Sequence, residues 1–212
     1  MGPDGHAVPA TARSRTSPAA PILVCPAIVD NPTMATNVPA PRRGRAADLP
    51  VDIQVRGLRD EDWPAVLRIY GEGIATGIAT FDTVVPSRAS FDARWLPGHR
   101  WVAEIDGEVA GWAVLSPVSS RECYAGVAES SVYVAEAHRG RGVGKTLIGH
   151  QMAEADRAGL WTLQAAIMAA NKASIALYHS AGYRTVGVRE RIAQLNGVWH
   201  DTVLLERRSG VV

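Results

Sequence analysis

The chain has 212 residues, of which 47% are hydrophobic and 20% are charged, so it is long enough to bury one core. Its formal net charge is +1, which gives no indication of a nucleic-acid partner. The cysteines, Cys25 and Cys123, lie in unrelated contexts, which excludes a cysteine-based zinc site and fits a reducing, cytoplasmic compartment. No apolar run is long enough to cross a membrane, and the six histidines show no metal-ligand spacing.

The first 50 residues differ in composition from the rest of the chain. They hold most of the prolines, together with alanine and arginine, and predict a disordered N-terminal extension. A secretory signal is one alternative, but the apolar patch at 21–25 is too short and too interrupted by proline. A natural start at Met34 is another. We expect the folded domain to cover residues 51–208 and a tail to cover 209–212.

The domain begins with a predicted strand at 53–58 and a predicted helix. Alternating apolar residues indicate the strand, and Asp60 should cap a helix whose apolar positions run from 63 to 70. Glycines between 71 and 77 predict the end of that helix. The link 78–83 is unusually apolar for a loop, so we expect it to be buried or to line a pocket.

The middle of the domain contains the clearest turn signal. A second helix should start at Pro86, and Asp106-Gly107 should join strands at 101–105 and 109–115 into a hairpin. A further strand is predicted at 127–134.

The sequence of the second half of the domain predicts two helices and three strands. One helix stops at Gly159 and is followed by a strand at 162–168. Asn171 should cap the next helix, and strands at 183–192 and 198–205 should form a last hairpin around an Asn-Gly turn. The predicted element order is β-α-α-β-β-β-α-β-α-β-β.

A glycine-rich run, Arg139-Gly140-Arg141-Gly142-Val143-Gly144, joins the strand at 127–134 to the helix that ends at Gly159. Three glycines at alternate positions let the backbone pass close to a ligand, with amide hydrogens free to point at it. The helix N-terminus adds partial positive charge and the arginines add full charges. The run therefore predicts an anion site, with pyrophosphate as the favoured anion.

Three other interpretations of this run fit it less well. Gly144-Lys145-Thr146 ends as a Walker A motif does, but the spacing from Gly140 is one residue short, and the strand at 162–168 has no acid for magnesium. A dinucleotide fingerprint needs G-x-G-x-x-G at the first strand–helix junction, whereas this run is G-x-G-x-G and late in the chain. A tight turn without a ligand would need only one glycine.

The run resembles the Q/R-x-x-G-x-G/A loop of the GNAT superfamily of N-acetyltransferases, which bind acetyl-CoA. The segment 171–183, NKASIALYHSAGY, is similar to that superfamily's N-x-x-(A/S)-x-x-x-Y-x-x-x-G-F/Y segment. The resemblance covers about 53–206. It implies the α/β (α+β) acyl-CoA N-acyltransferase fold, with a mixed sheet of about seven strands, helices on both faces and a splayed central strand pair.

Within that superfamily the chain is similar to the phosphinothricin acetyltransferase group, whose members acetylate phosphinothricin, methionine sulfone and methionine sulfoximine. The segments 81–83, 128–134 and 198–201 carry this similarity. It implies acetyl-CoA as co-substrate, no metal, a small amine acceptor, no nucleic-acid or membrane partner, and a homodimer. The alternatives are acetylation of another amine or of a protein N-terminus, and a non-catalytic acyl-CoA-binding module.

The resemblance also implies a set of cofactor-binding residues. Pyrophosphate would be held by the glycine-rich run, pantetheine by the strand before it, and the remainder of the cofactor by the helix that follows Asn171. The residues are Val132, Tyr133, Val134, Arg139, Gly140, Arg141, Gly142, Val143, Gly144, Lys145, Asn171, Ser174 and Tyr178. Asn171 also has a sufficient structural role as a helix N-cap.

Three residues are candidates for proton transfer. Glu129 is the candidate general base, directly or through water; the alternative is a solvent-facing or salt-bridged glutamate. His179 is a second candidate base because imidazole titrates near neutrality, and the alternative is a histidine on the helix surface. Tyr178 is the candidate acid for the departing thiolate, and the alternative is a core aromatic side chain.

The acceptor site is expected to combine an arginine with aromatic side chains. Arg121 would pair with a carboxylate or phosphinate, unless it is an ordinary surface arginine. Trp199 would close the pocket, unless it packs in the core or at a dimer interface. The full candidate set is Phe81, Thr83, Arg121, Tyr124, Glu129, Tyr133, Trp199 and His200.

Overall fold

Seven strands and four α-helices make up residues 52–211, the part of the chain that this computed structural model describes. The strands are β1 (Gln54–Gly57), β2 (Arg100–Ile105), β3 (Glu108–Pro117), β4 (Val127–Val134), β5 (Thr162–Met168), β6 (Arg184–Leu195) and β7 (Val198–Arg208). The helices are α1 (Trp63–Ala75), α2 (Arg88–Asp92), α3 (Val143–Arg157) and α4 (Lys172–Ser180). The element order predicted from the sequence is confirmed, whereas the predicted extension at residues 1–50 lies outside the described residues.

All the strands join one mixed sheet in the order β1-β2-β3-β4-β5-β7-β6. Neighbouring strands are antiparallel except β4 and β5, which are parallel because the connection through α3 returns the chain to the same edge. These two strands pair only at Val127–Thr162, Ala128–Leu163 and Glu129–Gln164. Beyond Glu129 they diverge, which confirms the expected splayed central pair.

The core lies on both faces of this sheet. On one face, α1 and α2 pack over Trp112 and Val114 through residues such as Val66 and Phe91. On the other face, α3 and α4 pack through residues such as Leu147 and Tyr178. Because side chains alternate along a strand, β4 contributes to both layers.

Three helix boundaries differ from the sequence-based expectation. Asp60 does not cap α1, because residues 60–62 form a short 3-10 turn and α1 begins at Trp63. The second helix starts at Arg88 rather than Pro86, and the Ser87 side chain accepts a hydrogen bond from the Ser90 amide at 3.3 Å. The first helix continues through Gly71 and Gly73 to Ala75, so the prediction that these glycines end it is wrong.

Gly73 is explained by close packing rather than by helix termination. A Cβ at this position would lie 2.9 Å from Cε1 of the Tyr133 ring, which belongs to β4. That separation is too short for two carbon atoms, so glycine lets α1 approach β4. The helix ends at Ala75, and Thr76 caps it just before Gly77, whose φ of 67° is left-handed.

We predict that Gly73→Ala lowers the free energy of unfolding by about 1–3 kcal/mol, because the added methyl group overpacks the contact with Tyr133. Gly149→Ala is the matched control on α3, since a Cβ there meets no atom within 4 Å. The control should raise stability by up to about 1 kcal/mol through its better helix propensity. Urea denaturation of both variants measures the difference, and equal stability changes would contradict the packing explanation.

Candidate active site

Two adjoining cavities open where β4 separates from β5. The larger, of about 460 Å³, lies between residues 132–134, the connection 138–145 and the start of α4, and we call it the loop cleft. The smaller, of about 260 Å³, lies between residues 129–133, β5 and the link 79–81, and we call it the inner cavity. Five residues line both: Ala79, Val132, Tyr133, Asn171 and Ser174.

The loop cleft gathers most of the residues predicted to bind the cofactor. Of the thirteen, all except Arg141 and Tyr178 line it. Its fully charged lining side chains are Arg139 and Lys145, and no aspartate or glutamate from the described residues lines it. Positive charge without a competing carboxylate favours an anionic ligand.

The start of α3 adds amide donors to this positive charge. The Thr146 amide is the first to bond backward into the helix, to the Gly142 carbonyl at 3.0 Å. The amides of Val143, Gly144 and Lys145 precede this bond, so the helix itself provides no acceptor for them. Together with the helix dipole, they make the cleft suited to a phosphate or pyrophosphate group.

The three glycines have structural explanations that the sequence did not show. Gly140 and Gly142 have φ values of 74° and 92°, in the left-handed region that favours glycine. A Cβ at Gly144 would lie 2.8 Å from Cδ2 of Leu177, so this residue allows α3 to approach α4. The glycines therefore shape the turn, and the suitability of the cleft for an anion comes from the amides and the two cations.

One backbone group on the free edge of β4 has a hydrogen-bond partner from α4. The Tyr178 side chain extends from α4 into the gap between β4 and β5, and its hydroxyl donates to the Ser130 carbonyl at 3.1 Å. Arg139 Nε reaches the Val134 carbonyl at 3.4 Å. Residues 130–134 pair with β3 on their other side, so their edge toward β5 is open to a ligand.

Glu129 is the charged side chain of the inner cavity among the described residues. Gln164 donates a hydrogen bond from Nε2 to its Oε2 at 3.3 Å, and no described cation forms an ion pair with it. The alternative of a salt-bridged glutamate therefore has no support. A half-buried carboxylate that only accepts weak hydrogen bonds can take a proton from a ligand.

Tyr178 is buried at the boundary of the inner cavity. Burial raises the pKa of its hydroxyl well above the ordinary range, and the neighbouring Tyr183 and Glu129 add to this effect. Tyr178 is therefore a neutral phenol at physiological pH, able to donate a hydrogen bond or a proton.

The link 78–83 lines both cavities, as its apolar sequence predicted. Ile78 and Ala79 contact the loop cleft, and residues 79–81 contact the inner cavity. The Tyr70 hydroxyl fixes the link by donating to Asp82 Oδ2 at 2.7 Å. The Phe81 ring lies edge-on to His200, with 6.2 Å between centroids, which brings β7 next to the cavity wall.

Several predicted site residues lie elsewhere. His179 is exposed on α4 and its Nε2 is 3.0 Å from Thr185 Oγ1, so the surface-histidine alternative describes it. Arg121 and Tyr124 occupy an exposed turn before β4, with the guanidinium 5.8 Å from the tyrosine ring centroid. Three others are exposed and line neither cavity: Thr83, Arg141 and Trp199.

The sequence reasoning missed the polar side chains that support the site. Ser130 and Gln151 are buried and hydrogen-bonded to each other, and Gln164 bonds to the candidate base. Tyr70 holds the link 78–83. A signal was available for Gln151, since a polar residue four positions after Leu147 interrupts the buried face of α3.

Residues 52–211 show neither a metal-binding cluster nor a membrane-spanning helix. No cluster of three or more histidine, cysteine, aspartate or glutamate side chains there is arranged to hold a metal ion. No helix of this region combines the length and the apolar character needed to span a membrane.

Comparison with known proteins identifies the family. The model of the acetyltransferase (GNAT) family matches residues 71–183. Phosphinothricin N-acetyltransferase of Alcaligenes faecalis is 35% identical over 162 residues, which cover 72% of this chain and 81% of that protein. An L-methionine sulfoximine/L-methionine sulfone acetyltransferase of Pseudomonas paraeruginosa is 31% identical over 151 residues, covering 68% and 88%.

A solved structure agrees with these relatives. A GNAT superfamily phosphinothricin acetyltransferase from Sinorhizobium meliloti, in complex with AcCoA, superposes with a TM-score of 0.70 and 29% identity. The match covers 74% of this chain and 89% of that one. Sequence, fold and the arrangement of the two cavities lead to one conclusion: the chain belongs to the GNAT family of acetyltransferases.

Proposed function

We propose that the chain transfers the acetyl group of acetyl-CoA to the amine of a small amino-acid-like acceptor, of the phosphinothricin, methionine sulfone or methionine sulfoximine type. The observation that carries this proposal is the junction of two cavities of opposite charge. The loop cleft has Arg139 and Lys145, and the inner cavity has Glu129. The printed names of the relatives support this class of acceptor.

The loop cleft fits acetyl-CoA, which would supply an activated acetyl thioester. Its pyrophosphate would lie against Arg139, Lys145 and the amides at the start of α3. Its amide-containing pantetheine arm would bond to the free backbone edge around Val132 and Val134, as an added strand does. Asn171 and Ser174 line the place where the two cavities meet, so they would lie close to the thioester end.

Glu129 would act as the general base. An acceptor amine is protonated at neutral pH and must lose a proton before it can attack a thioester. The carboxylate first attracts the cationic amine into the inner cavity and then accepts that proton, directly or through water. Gln164 keeps the carboxylate oriented by its hydrogen bond.

Tyr178 would stabilise the departing thiolate. A thiol has a pKa of about 8.5, so its anion leaves more readily when a donor lies nearby. Because burial keeps the Tyr178 hydroxyl protonated, a donor is present throughout the working pH range. We retain Tyr178 as the acid and omit His179, which is exposed and outside both cavities.

Phe81, Tyr133 and Thr80 would form the walls of the acceptor pocket, with His200 behind Phe81. Arg121, Tyr124 and Trp199 line neither cavity, so the proposal gives them no contact with the acceptor. Acetylation of another amine or a protein N-terminus, and acyl-CoA binding without catalysis, are the competing functions.

A screen of acceptors with release of the CoA thiol as the readout tests the proposal. We expect turnover with phosphinothricin, methionine sulfone or methionine sulfoximine, and much less with a peptide that has a free N-terminus. Faster turnover with the peptide would assign the chain to protein acetylation. Acetyl-CoA binding without thiol release from any amine would indicate a non-catalytic module.

Glu129→Gln should lower kcat/KM by about 10²–10⁴-fold, because the amide cannot accept the amine proton. Glu108→Gln is the matched control, since Glu108 is exposed at the start of β3 and lines neither cavity. Calorimetric titration with acetyl-CoA should give similar Kd values for both variants and the wild-type chain. Undiminished turnover in Glu129→Gln would remove Glu129 from the role of base.

We also propose the homodimer that the family resemblance implies. Several exposed apolar side chains share the paired strands β6 and β7, whereas Val84 lies outside them, and such a group favours burial against a partner. They are Val186, Val188, Ile192, Val198 and Trp199. Sedimentation velocity of the wild-type chain should give twice the mass of one chain. In the double variant V188S/W199S, the measured mass should shift toward that of the monomer. Val84→Ser, at a residue that is 74% exposed, should leave the mass unchanged; a monomeric wild-type chain would refute the proposal.

A further inference from the structure

A buried chain of hydrogen bonds connects α3 to the candidate acid. Gln151 on α3, Ser130 on β4 and Tyr178 on α4 are 0%, 4% and 3% exposed. Gln151 Nε2 donates to the Val114 carbonyl at 2.8 Å, and its Oε1 accepts from the Ser130 hydroxyl. The Ser130 Oγ lies 2.9 Å from the Tyr178 hydroxyl.

The direction of each bond in this chain is determined by its neighbour. The Val114 carbonyl can only accept, so the NH₂ group of Gln151 must face it and the amide oxygen must face Ser130. An amide oxygen also can only accept, so the single hydroxyl hydrogen of Ser130 is donated to Gln151. Ser130 Oγ therefore presents only lone pairs to Tyr178. The single Tyr178 hydroxyl hydrogen is the donor, shared between Ser130 Oγ at 2.9 Å and the Ser130 carbonyl oxygen at 3.1 Å.

We propose that Gln151 is a positioning residue of the transfer reaction: by taking the Ser130 hydroxyl hydrogen, it makes Ser130 an acceptor and keeps Tyr178 as a protonated donor. This inference rests on the proposed acetyl transfer, in which Tyr178 stabilises the thiolate. Without Gln151, the Ser130 hydroxyl could donate to the Tyr178 oxygen instead. Tyr178 would then be held in two hydrogen-bond orientations, and its phenolate would gain a donor.

The network also keeps every buried donor paired when the phenol hydrogen turns toward a ligand. When the Tyr178 hydrogen moves away from Ser130, the hydroxyl and carbonyl oxygens of the serine each lose a bond that they accepted. The Ser130 hydrogen stays paired with Gln151, so no buried donor is left without a partner. An unpaired buried donor would be the more costly outcome.

None of the titratable groups that face Tyr178 would stabilise its phenolate. Tyr183 precedes β6, and Glu129 and Tyr133 lie on β4; each becomes negative when it ionises and so disfavours a Tyr178 phenolate. No arginine or lysine of the described residues is among the groups that act on its ionisation. Donation by Ser130 would therefore be the main local means of stabilising the phenolate, and Gln151 prevents it.

Gln151→Glu separates the bond to Ser130 from the bond to Val114. Both forms of the introduced carboxyl accept from Ser130, whereas only the protonated form can donate to Val114. Because Gln151 acts by accepting the Ser130 hydrogen, we expect the ratio of variant to wild-type kcat to stay within about twofold of one as the carboxyl ionises, with little change in KM for acetyl-CoA. Burial should place that ionisation above the ordinary glutamate pKa of about 4.3.

The melting temperature of the ligand-free Gln151→Glu variant gives an independent readout. The folded-state pKa of the buried carboxyl is expected to be raised, so its stabilising contribution is present at low pH and is lost as pH rises through that value. The melting temperature, relative to wild type, should fall as the carboxyl ionises, because the Val114 carbonyl loses its donor, while the kcat ratio stays constant. A kcat ratio that falls about tenfold in the same pH window would show that Gln151 acts only through the Val114 bond and the packing around it.

A double-mutant cycle tests whether Gln151 acts through Ser130. Gln151→Met should lower kcat about tenfold in the wild-type background and have little further effect in Ser130→Ala, because the group that transmits the effect is gone. Thr202→Val is the control, since Thr202 Oγ1 is buried with no hydrogen-bond partner among the described residues; kcat should not change. Additive effects would overturn the inference.

The pH experiment still tests the inference if Gln151→Met does not fold, because Gln151→Glu keeps the bond from Ser130 at every pH. An active wild-type chain, with a variant whose kcat ratio falls together with the melting temperature, would overturn this inference alone. A wild-type chain that acetylates no acceptor would overturn the proposed function together with it, so the two failures are distinguishable.

Discussion

The site depends on the point at which β4 and β5 stop pairing. Three residue pairs join these parallel strands, and the last is Glu129 with Gln164. From Ser130 onward, β4 is paired only with β3, so one edge of its backbone lacks a strand partner. Buried polar backbone groups require partners. The Tyr178 hydroxyl satisfies the Ser130 carbonyl, and the edge beyond it remains available to a ligand.

The same separation brings together groups from both layers of the protein. Along β4, Glu129 and Tyr133 point to one face and Ser130 to the other, because strand side chains alternate. The buried hydrogen bonds from Gln151 reach Ser130 on the face covered by α3. A continuous strand pair would separate these groups, whereas the gap lets the candidate base Glu129 and the candidate acid Tyr178 line the same cavity.

Charge is divided between the two cavities in a way that suits a reaction between an anionic cofactor and a cationic amine. Arg139, Lys145 and the amides of α3 make the loop cleft positive, and Glu129 makes the inner cavity negative. Opposite charges in adjoining cavities favour binding of an anionic cofactor in the loop cleft and of a cationic amine in the inner cavity. The short link at 78–83 lies over both and is held by Tyr70.

The sequence by itself determined the element order, the turn at Asp106-Gly107 and the glycine-rich turn before α3, because apolar periodicity and turn residues are local signals. Only the tertiary structure decided which candidates meet. Gly73 lies within α1 because of a contact with Tyr133, which no local pattern encodes. Tyr178 and His179 are adjacent, yet about 100° of helical rotation turns one into the core and the other to solvent. The packing of α4 against the separated strands β4 and β5 determines which of the two side chains is buried.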